Sequence, residues 1–209
     1  MAVSFQAVNT PDRAELAQLV REIHARGWTP GTGGNFSRLI SREPLRLLIT
    51  SSGVDKGQMT EAGLLEVDEK GNPVAGSLRP SAETLLHVAI YQETDAEAVL
   101  HTHTVWNTLA SMSGESTYGI GDLEMLKGLR GVETHEHFER VPILANSQNM
   151  VALADEVRAK LKESPATHGI LLRGHGLYTW GRDISEARRH LEVLEFLFEV
   201  SIRKQNLGR

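Results

Sequence analysis

The chain has 209 residues, 40% of them hydrophobic and 23% charged, with a formal net charge of −5 and no cysteine. This length and hydrophobic content suit one globular domain spanning residues 1–209, and the lack of cysteine excludes disulfides, thiolate metal ligands and cysteine nucleophiles. The acidic balance argues against a nucleic-acid partner, and the lack of a long apolar stretch or a leader-like N-terminus predicts a cytoplasmic protein without a membrane partner.

The first half of the sequence alternates helical and strand patterns with turns rich in glycine. Apolar residues at helical spacing indicate helices, and short apolar runs between turn residues indicate strands. The predicted elements are a helix that ends before Gly27, strands at 36–40 and 46–50, a hairpin at 64–75, and a helix that Ser81 caps and that ends near Gln92.

The second half continues this alternation, so a layered α/β domain is expected. Its predicted elements are a strand at 98–100, a helix from about Thr104, a turn at 119–121, a short helix at 122–127, a strand at 141–144, a helix at 148–163, strands at 170–172 and 177–180, and a helix at 183–204. The last helix is apolar around most of its circumference, which predicts burial on several sides, one of them against a neighbouring subunit.

The segment His101-Thr102-His103 follows directly after the apolar strand at 98–100. Side chains two residues apart on a strand point to the same face, so both imidazoles are expected to converge on one point. Imidazole is a favoured ligand of zinc and of neighbouring metals. A pair of surface or hydrogen-bonded histidines remains the alternative, and a third ligand is needed to decide.

The segment His135-Glu136-His137 has the same spacing but lies in a polar stretch with no apolar strand before it. We therefore interpret it as a solvated segment, and the spacing alone does not identify a metal site. Four further histidines lie within predicted helices or at strand starts and are interpreted as structural: His24, His87, His168 and His190.

His175 is the best candidate for the third ligand. It follows the apolar strand at 170–172, and its neighbours Gly174 and Gly176 allow the backbone to approach a site closely. A histidine in an ordinary turn is the alternative. Three protein ligands that leave positions open are typical of a catalytic metal site, not of a structural one.

Two loops, at 31–37 and 51–57, are rich in Gly, Ser, Thr and Asn. Such loops can direct backbone N–H groups and hydroxyls at a phosphate, although ordinary turns have the same composition. Ser81 at a predicted helix N-terminus would favour an anion in the same place, and Lys56 would add positive charge.

Two carboxylates also stand out, and each has a simpler explanation. Glu83 lies in the first turn of a predicted helix, where the helix dipole alone favours an acidic residue. Glu124 lies in the predicted short helix at 122–127 and by itself is typical of a surface position.

Five of these motifs occur in the order found in the class II aldolase family, the zinc sugar-phosphate aldolases and their relatives, and the chain resembles that family over nearly its whole length. The motifs are Gly33-Gly34-Asn35-Phe36-Ser37, Thr50-Ser51-Ser52-Gly53, Pro80-Ser81-Ala82-Glu83, His101-Thr102-His103 and Gly174-His175-Gly176. The resemblance implies a three-layer α/β/α fold whose central sheet is mixed, mostly antiparallel and flanked by helices. It also implies a small sugar-phosphate substrate, one Zn²⁺ per subunit and a cyclic homotetramer with sites at subunit interfaces.

By this resemblance the metal ligands are His101, His103 and His175, and Glu124 is the catalytic acid/base. The expected substrate-binding residues are Asn35, Ser52, Gly53, Lys56, Ser81 and Glu83. Ala82 departs from the family, whose aldolases commonly have Ser there, so one phosphate hydroxyl is missing.

The reaction implied depends on which branch of the family the chain resembles most. The segments around Glu124 and His175 are most similar to members that remove water from a ketose 1-phosphate through a zinc-stabilised enediolate. Aldol cleavage to dihydroxyacetone phosphate and an aldehyde is the alternative, and it would use Glu83 as the base. A non-catalytic protein-binding module with this fold is disfavoured, because such modules lack the full set of histidines.

Overall fold

The computed structural model describes residues 10–207; residues 1–9 and 208–209 of the expected domain lie outside the described residues. The strands are β1 (Asn35–Arg42), β2 (Leu45–Thr50), β3 (Leu64–Asp68), β4 (Ala98–Thr102), β5 (Thr117–Ile120), β6 (Glu139–Leu144), β7 (Gly169–Leu172) and β8 (Gly176–Gly181). The helices are α1 (Thr10–Ala25), α2 (Thr84–Glu93), α3 (Val105–Ser111), α4 (Met150–Glu163) and α5 (Ile184–Leu207).

All eight strands form one sheet in the order β3-β2-β1-β4-β8-β7-β6-β5. Every neighbouring pair is antiparallel except β6 and β7, which are parallel. The predicted mixed, mostly antiparallel sheet is thus confirmed. Strand β4 lies between β1 and β8 in the middle of the sheet, so its end is surrounded by other elements.

Helices cover both faces of the sheet. Helices α1, α3 and α5 contribute to one apolar core, and α2 and α4 contribute to the other. Successive residues of β4 serve opposite cores, with Leu100 in the first and Val99 in the second, as the alternation of a strand requires. The three-layer arrangement is confirmed. Among the described residues, no helix combines the length and the apolarity that crossing a membrane requires.

The hairpin predicted at 64–75 is wrong in its second half. Strand β3 forms, but Pro73 makes only an isolated bridge to Val67 after the turn. Proline has no N–H to donate to a strand ladder. The N–H of Val74 donates once to the carbonyl of Glu66, at 2.9 Å, and no further ladder follows among the described residues.

The cap predicted for the second helix is also wrong. Helix α2 begins at Thr84, and Glu83 occupies the N-cap position in place of Ser81. A turn precedes the helix, because the N–H of Thr84 donates to the carbonyl of Ser81 at 3.1 Å. This extra turn leaves the carboxylate of Glu83 at the helix entrance.

The turn predicted at 119–121 is mostly strand, because β5 pairs with β6 as far as Ile120. The glycines serve packing there. A Cβ added to Gly119 or Gly121 would lie 2.6 or 2.8 Å from the ring of Phe138. A glycine that makes room for an aromatic ring has the same local sequence signal as a glycine in a turn.

The short helix predicted at 122–127 is a 3₁₀ helix, Glu124–Gly128. Leu126 is buried, and a Cβ on Gly128 would lie 2.6 Å from Cγ2 of Val193 in α5. The segment therefore packs closely on α5 and leaves Glu124 on its outer side.

Candidate metal centre

The buried ring of His101 is held at the end of β4 from two sides. In the sheet register it pairs with Asn35 of β1 and with Tyr178 of β8. Its ring stacks on that of Tyr178, with centroids 4.0 Å apart and an interplanar angle of 11°. Nδ1 lies 2.9 Å from the carbonyl oxygen of Leu177, to which it donates. The other ring nitrogen, Nε2, therefore carries the lone pair.

His103 lies one residue beyond the end of β4, and its ring is half-buried. Its N–H donates to the carbonyl of Trp28 at 3.1 Å, which ties the segment to the chain that leaves α1. The two Nε2 atoms of His101 and His103 are 2.7 Å apart. Two imidazoles from one strand end thus face the same point.

His175 reaches this point from the tight turn between β7 and β8. Gly174 has a φ of 64°, which glycine adopts without steric cost, and the N–H of His175 donates to the carbonyl of Leu172 at 3.0 Å. The ring centroid lies 5.0 Å from that of His101 and 4.7 Å from that of His103. The structure therefore brings together the three histidines that the sequence singled out.

Glu83 joins the cluster from the entrance of α2. Its Oε1 lies 2.9 Å from Nε2 of His175, and its Oε2 lies 3.4 Å from Nε2 of His101. One ligand atom from each of these residues and from His103 lies within 4.8 Å of all the others. The sequence motifs grouped Glu83 with the substrate contacts, and the structure puts it among the side chains that could hold a metal ion.

The charges in the cluster suit a divalent cation. Burial lowers the pKa of His101 well below its usual value and, together with the charge of His175, lowers that of His103. Burial raises the pKa of Glu83, but a hydrogen bond from His175 and the charges of His101 and His175 outweigh it, so the net shift is downward. These shifts favour the neutral imidazoles of His101 and His103 and the ionised carboxylate of Glu83. Three imidazoles and one carboxylate are a donor set that zinc favours.

A buried chain of hydrogen bonds continues behind Glu83. The amide of Asn35 donates to Oε2 of Glu83, and the amide oxygen of Asn35 contacts Nε2 of His87. Nδ1 of His87 lies 2.7 Å from the hydroxyl of Ser37, which lies 2.9 Å from that of Tyr91. The sequence analysis took His87 as structural and missed this chain, because its members lie about 50 residues apart along the sequence.

A polar cavity of about 300 Å³ adjoins the cluster. The predicted substrate-binding residues all line it, together with His103: Asn35, Ser52, Gly53, Lys56, Ser81 and Glu83. Gln148 and Met150, from the loop before α4 and its first residue, line the same cavity. No sequence signal indicated these two residues, because only the packing of α4 on α2 brings them to the site.

Lys56 is buried, and its ammonium group is engaged by the backbone. Nζ donates to the carbonyls of Thr32 and Val54, each at 3.1 Å. Burial lowers the pKa of Lys56, and the charge of Asp55 partly opposes this. The side chain therefore ties the two glycine-rich loops together while its charge stays next to the cavity.

The structure does not bring Glu124 to the histidines of its own chain. The side chain is 71% exposed and pairs with Nζ of Lys127 at 2.5 Å. It neither belongs to the cluster nor lines the adjoining cavity. His135 is likewise exposed, as expected for a solvated segment, and Nε2 of His137 pairs with Glu139 at 2.8 Å.

Comparison with known proteins agrees with this fold. The sequence model of the class II aldolase and adducin N-terminal domain family matches residues 14–202, and the chain belongs to this family. A methylthioribulose-1-phosphate dehydratase of Xanthomonas campestris pv. campestris is 44% identical over 195 residues, which cover 90% of this chain and 88% of the relative. A methylthioribulose-1-phosphate dehydratase of Enterobacter sp. is 44% identical over 203 residues, covering 95% and 98%. The solved structure of an L-fuculose 1-phosphate aldolase matches with a TM-score of 0.80 at 25% identity, covering 97% of this chain and 90% of the other.

Proposed function

We propose that the protein is a cytoplasmic hydro-lyase of methionine salvage. It converts 5-(methylthio)ribulose 1-phosphate into 5-(methylthio)-2,3-dioxopentyl 1-phosphate and water. The observation that carries this proposal is the convergence of His101, His103, His175 and Glu83 beside a polar cavity. It is supported by 44% identity to methylthioribulose-1-phosphate dehydratases over nearly the whole chain.

The three histidines would hold one divalent metal ion, with zinc the ion that the donor set favours. When bound, such an ion acts as a Lewis acid that polarises the ketose carbonyl. Stacking on Tyr178 and the hydrogen bond to Leu177 fix the ring of His101 in the tautomer that leaves Nε2 free. Glu83, which is ionised, supplies either a fourth ligand or local negative charge.

The cavity beside the cluster suits the phosphate end of the substrate. Gly53 has a φ of 75°, and Ser52 and Ser81 offer hydroxyls at the cavity wall. The buried charge of Lys56 favours an anion there without contacting solvent. Asn35 is committed to Glu83 and Ser81, so its first role is to orient that carboxylate.

The reaction removes a proton from C3, which lies next to the C2 carbonyl, and releases the C4 hydroxyl as water. The resulting enol becomes the 2,3-diketone by proton transfer. We assign Glu124 as the group that carries a proton between the substrate and the departing hydroxyl. Acid–base assistance of this kind typically contributes about 10²- to 10⁴-fold to the rate.

Glu124 can act only at the site of a neighbouring subunit, because in its own subunit the side chain is exposed and lies outside the histidine cluster. We therefore propose a homotetramer whose sites combine the histidines of one subunit with Glu124 of the next. Large exposed apolar side chains on the 3₁₀ helix, on α3 and its C-cap, and on α5 support a subunit contact: Met125, Val105, Leu109, Met112 and Phe196.

Product analysis tests the reaction. The metal-loaded protein is incubated with 5-(methylthio)ribulose 1-phosphate, and the products are identified by mass spectrometry and NMR. We expect the diketone phosphate and no triose phosphate. Dihydroxyacetone phosphate would instead support aldol cleavage, which the structural similarity to an L-fuculose 1-phosphate aldolase favours as the second candidate.

Subunit complementation tests the role of Glu124. Glu124→Gln and His175→Ala are each expected to lose most of their activity, the first while keeping its metal. Mixed tetramers formed by co-expression contain sites with both native groups, so we expect them to recover up to about a quarter of the native activity. No recovery in tetramers shown to be mixed would remove Glu124 from a shared site.

A further inference from the structure

The carboxyl group of Glu195 is a buried acid that the proposed mechanism does not use. Glu195 lies on α5 and is 3% exposed. Oε2 accepts a hydrogen bond from the hydroxyl of Thr104 at 2.6 Å, and Oε1 accepts one from the amide of Asn107 at 2.8 Å. Among the described residues, no Lys, Arg or His forms an ion pair with it.

The two partners of Glu195 form the capping box of α3. The hydroxyl of Thr104 accepts from the N–H of Asn107 at 3.0 Å, and Oδ1 of Asn107 accepts from the N–H of Thr104 at 3.2 Å. The amide of Asn107 also reaches Thr102, at 3.2 Å from its carbonyl and 3.1 Å from its hydroxyl. Glu195 thereby anchors a hydrogen-bond network that includes both chain neighbours of His103, Thr102 and Thr104.

His103 needs such an anchor more than His101 does. His101 belongs to β4, is paired on both sides and stacks on Tyr178. His103 lies beyond the paired residues of the strand, and within the described part of the chain its backbone makes one hydrogen bond, to Trp28. Its ring is also more exposed than that of His101. The contacts made by Thr102 and Thr104 therefore restrain its backbone on both sides.

We propose that Glu195 is a positioning residue, which through Thr104 and Asn107 holds His103 in the geometry that binds the metal. This inference rests on the metal site of the proposed function. It assigns a role to a side chain that lies on a different element from every ligand and touches none of them.

Ionised Glu195 costs stability in the folded protein, which a contact kept only for folding would avoid. Burial raises the pKa of Glu195 to about 7, hydrogen bonds from Thr104 and Asn107 oppose the rise, and the charge of Glu199 adds to it. A carboxyl with a raised pKa destabilises the folded state as the pH rises above its unfolded value. Both hydrogen-bond partners donate, so the ionised carboxylate still satisfies them.

Zinc affinity and apoprotein stability of Glu195→Gln at pH 8 test the proposal. Zinc affinity is measured by competition with a chromophoric chelator, cobalt(II) absorption reports the ligand geometry, and thermal unfolding of the metal-free protein reports stability. The glutamine side chain offers one acceptor oxygen, whereas the hydroxyl of Thr104 and the amide of Asn107 each need an acceptor. We therefore expect the variant to bind zinc about 10- to 100-fold more weakly. The metal-free variant should unfold at a temperature close to that of the unaltered protein, because removing the buried carboxylate offsets the cost of the donor left without an acceptor.

Matched variants separate positioning from folding. Glu199 lies one turn along α5 from Glu195, is half-exposed and pairs with Arg203. Glu199→Gln should therefore leave zinc affinity and the cobalt spectrum unchanged. Thr104→Val should weaken zinc binding, while Thr104→Ser, which keeps the hydroxyl, should restore it. This second pair decides the question if Glu195→Gln does not fold.

If Glu195→Gln binds zinc with an affinity within twofold of the unaltered protein, the inference about Glu195 is overturned while the proposed function stands. If Glu195→Gln does not fold, the same result in Thr104→Val overturns the inference. A loss of affinity that merely follows a loss of apoprotein stability would overturn it too. If the unaltered protein did not bind zinc, the proposed function would fail first, and this inference with it.

Discussion

The segments His101-Thr102-His103 and His135-Glu136-His137 have the same histidine spacing but lie in opposite structural surroundings. The first ends a strand in the middle of the sheet, where its imidazoles meet a third histidine and a carboxylate. The second precedes β6 in a largely exposed stretch, where His137 pairs with the next acidic residue, Glu139. Two histidines at strand spacing therefore predict a metal site only where the surrounding fold supplies further ligands and excludes water.

Removing one histidine from each segment tests this contrast most strongly. His101→Ala should lose bound zinc and roughly 1000-fold or more in turnover, since Lewis-acid stabilisation contributes several kcal/mol. His135→Ala, whose ring is exposed, should keep both. Zinc content by plasma mass spectrometry and steady-state turnover on the same preparations provide the comparison. Equal loss in the two variants would mean that the spacing, and not the surroundings, determines the site.

Two glycines, one packed against each segment or the residue that follows it, test the difference in packing between the two regions. A Cβ on Gly176 would lie 2.2 Å from the carbonyl oxygen of Thr102 and 3.1 Å from the ring of His103, and the backbone cannot yield cheaply. Gly176→Ala should therefore destabilise the protein by about 1–3 kcal/mol or more and weaken zinc binding.

Gly119→Ala is the control, because its Cβ would meet the ring of Phe138, which is 51% exposed and free to move. We expect a smaller loss of stability and normal zinc binding. Denaturant unfolding with zinc titration measures both effects, and a larger loss at Gly119 would contradict this view of the packing.

The region next to the second segment is expected to serve stability alone. Glu139 is 2% exposed and contacts Nδ1 of His168 at 3.1 Å, while Nε2 of His168 donates to the carbonyl of Arg130 at 2.9 Å. Burial lowers the pKa of His168, but its hydrogen bond and ion pair with Glu139 outweigh this and raise it. Burial raises the pKa of Glu139, and its bonds to His168 and His137 reverse the shift.

The sign of the pH effect follows from these directions. A raised histidine pKa gives stability below its unfolded value of about 6.5 that is lost as the pH rises through the folded value. A lowered glutamate pKa gives stability above its unfolded value of about 4.3. The pair therefore contributes most between these two values.

Glu139→Gln should thus cost about 1.5–3 kcal/mol near pH 6, and less at pH 9, where a smaller fraction of His168 is charged. Zinc affinity should not change. Thermal unfolding of the metal-free protein at the two pH values checks this, with Glu136→Gln at a neighbouring exposed site as the control. An equal cost at both pH values would show that the charge of His168 does not contribute.

The sequence alone determined much of this protein. The apolar strand before His101, the glycines around His175 and the order of five short motifs predicted the layered fold, the mixed sheet and the residues that converge. The strand and the turn are local features, properties of a few consecutive residues, whereas the order of the motifs carried the family resemblance that implied the mixed sheet. Most element bounds lie within two residues of their predicted positions for the same reason.

Tertiary structure alone decided the rest. The stacking of Tyr178 under His101, the chain from Asn35 to His87, and the network of Glu195 join residues about 50 to 90 positions apart. Strand order and helix packing create these pairs, and no local pattern encodes them. Whether a buried polar group is paired, ionised or positioned for chemistry depends on neighbours that only the folded chain supplies.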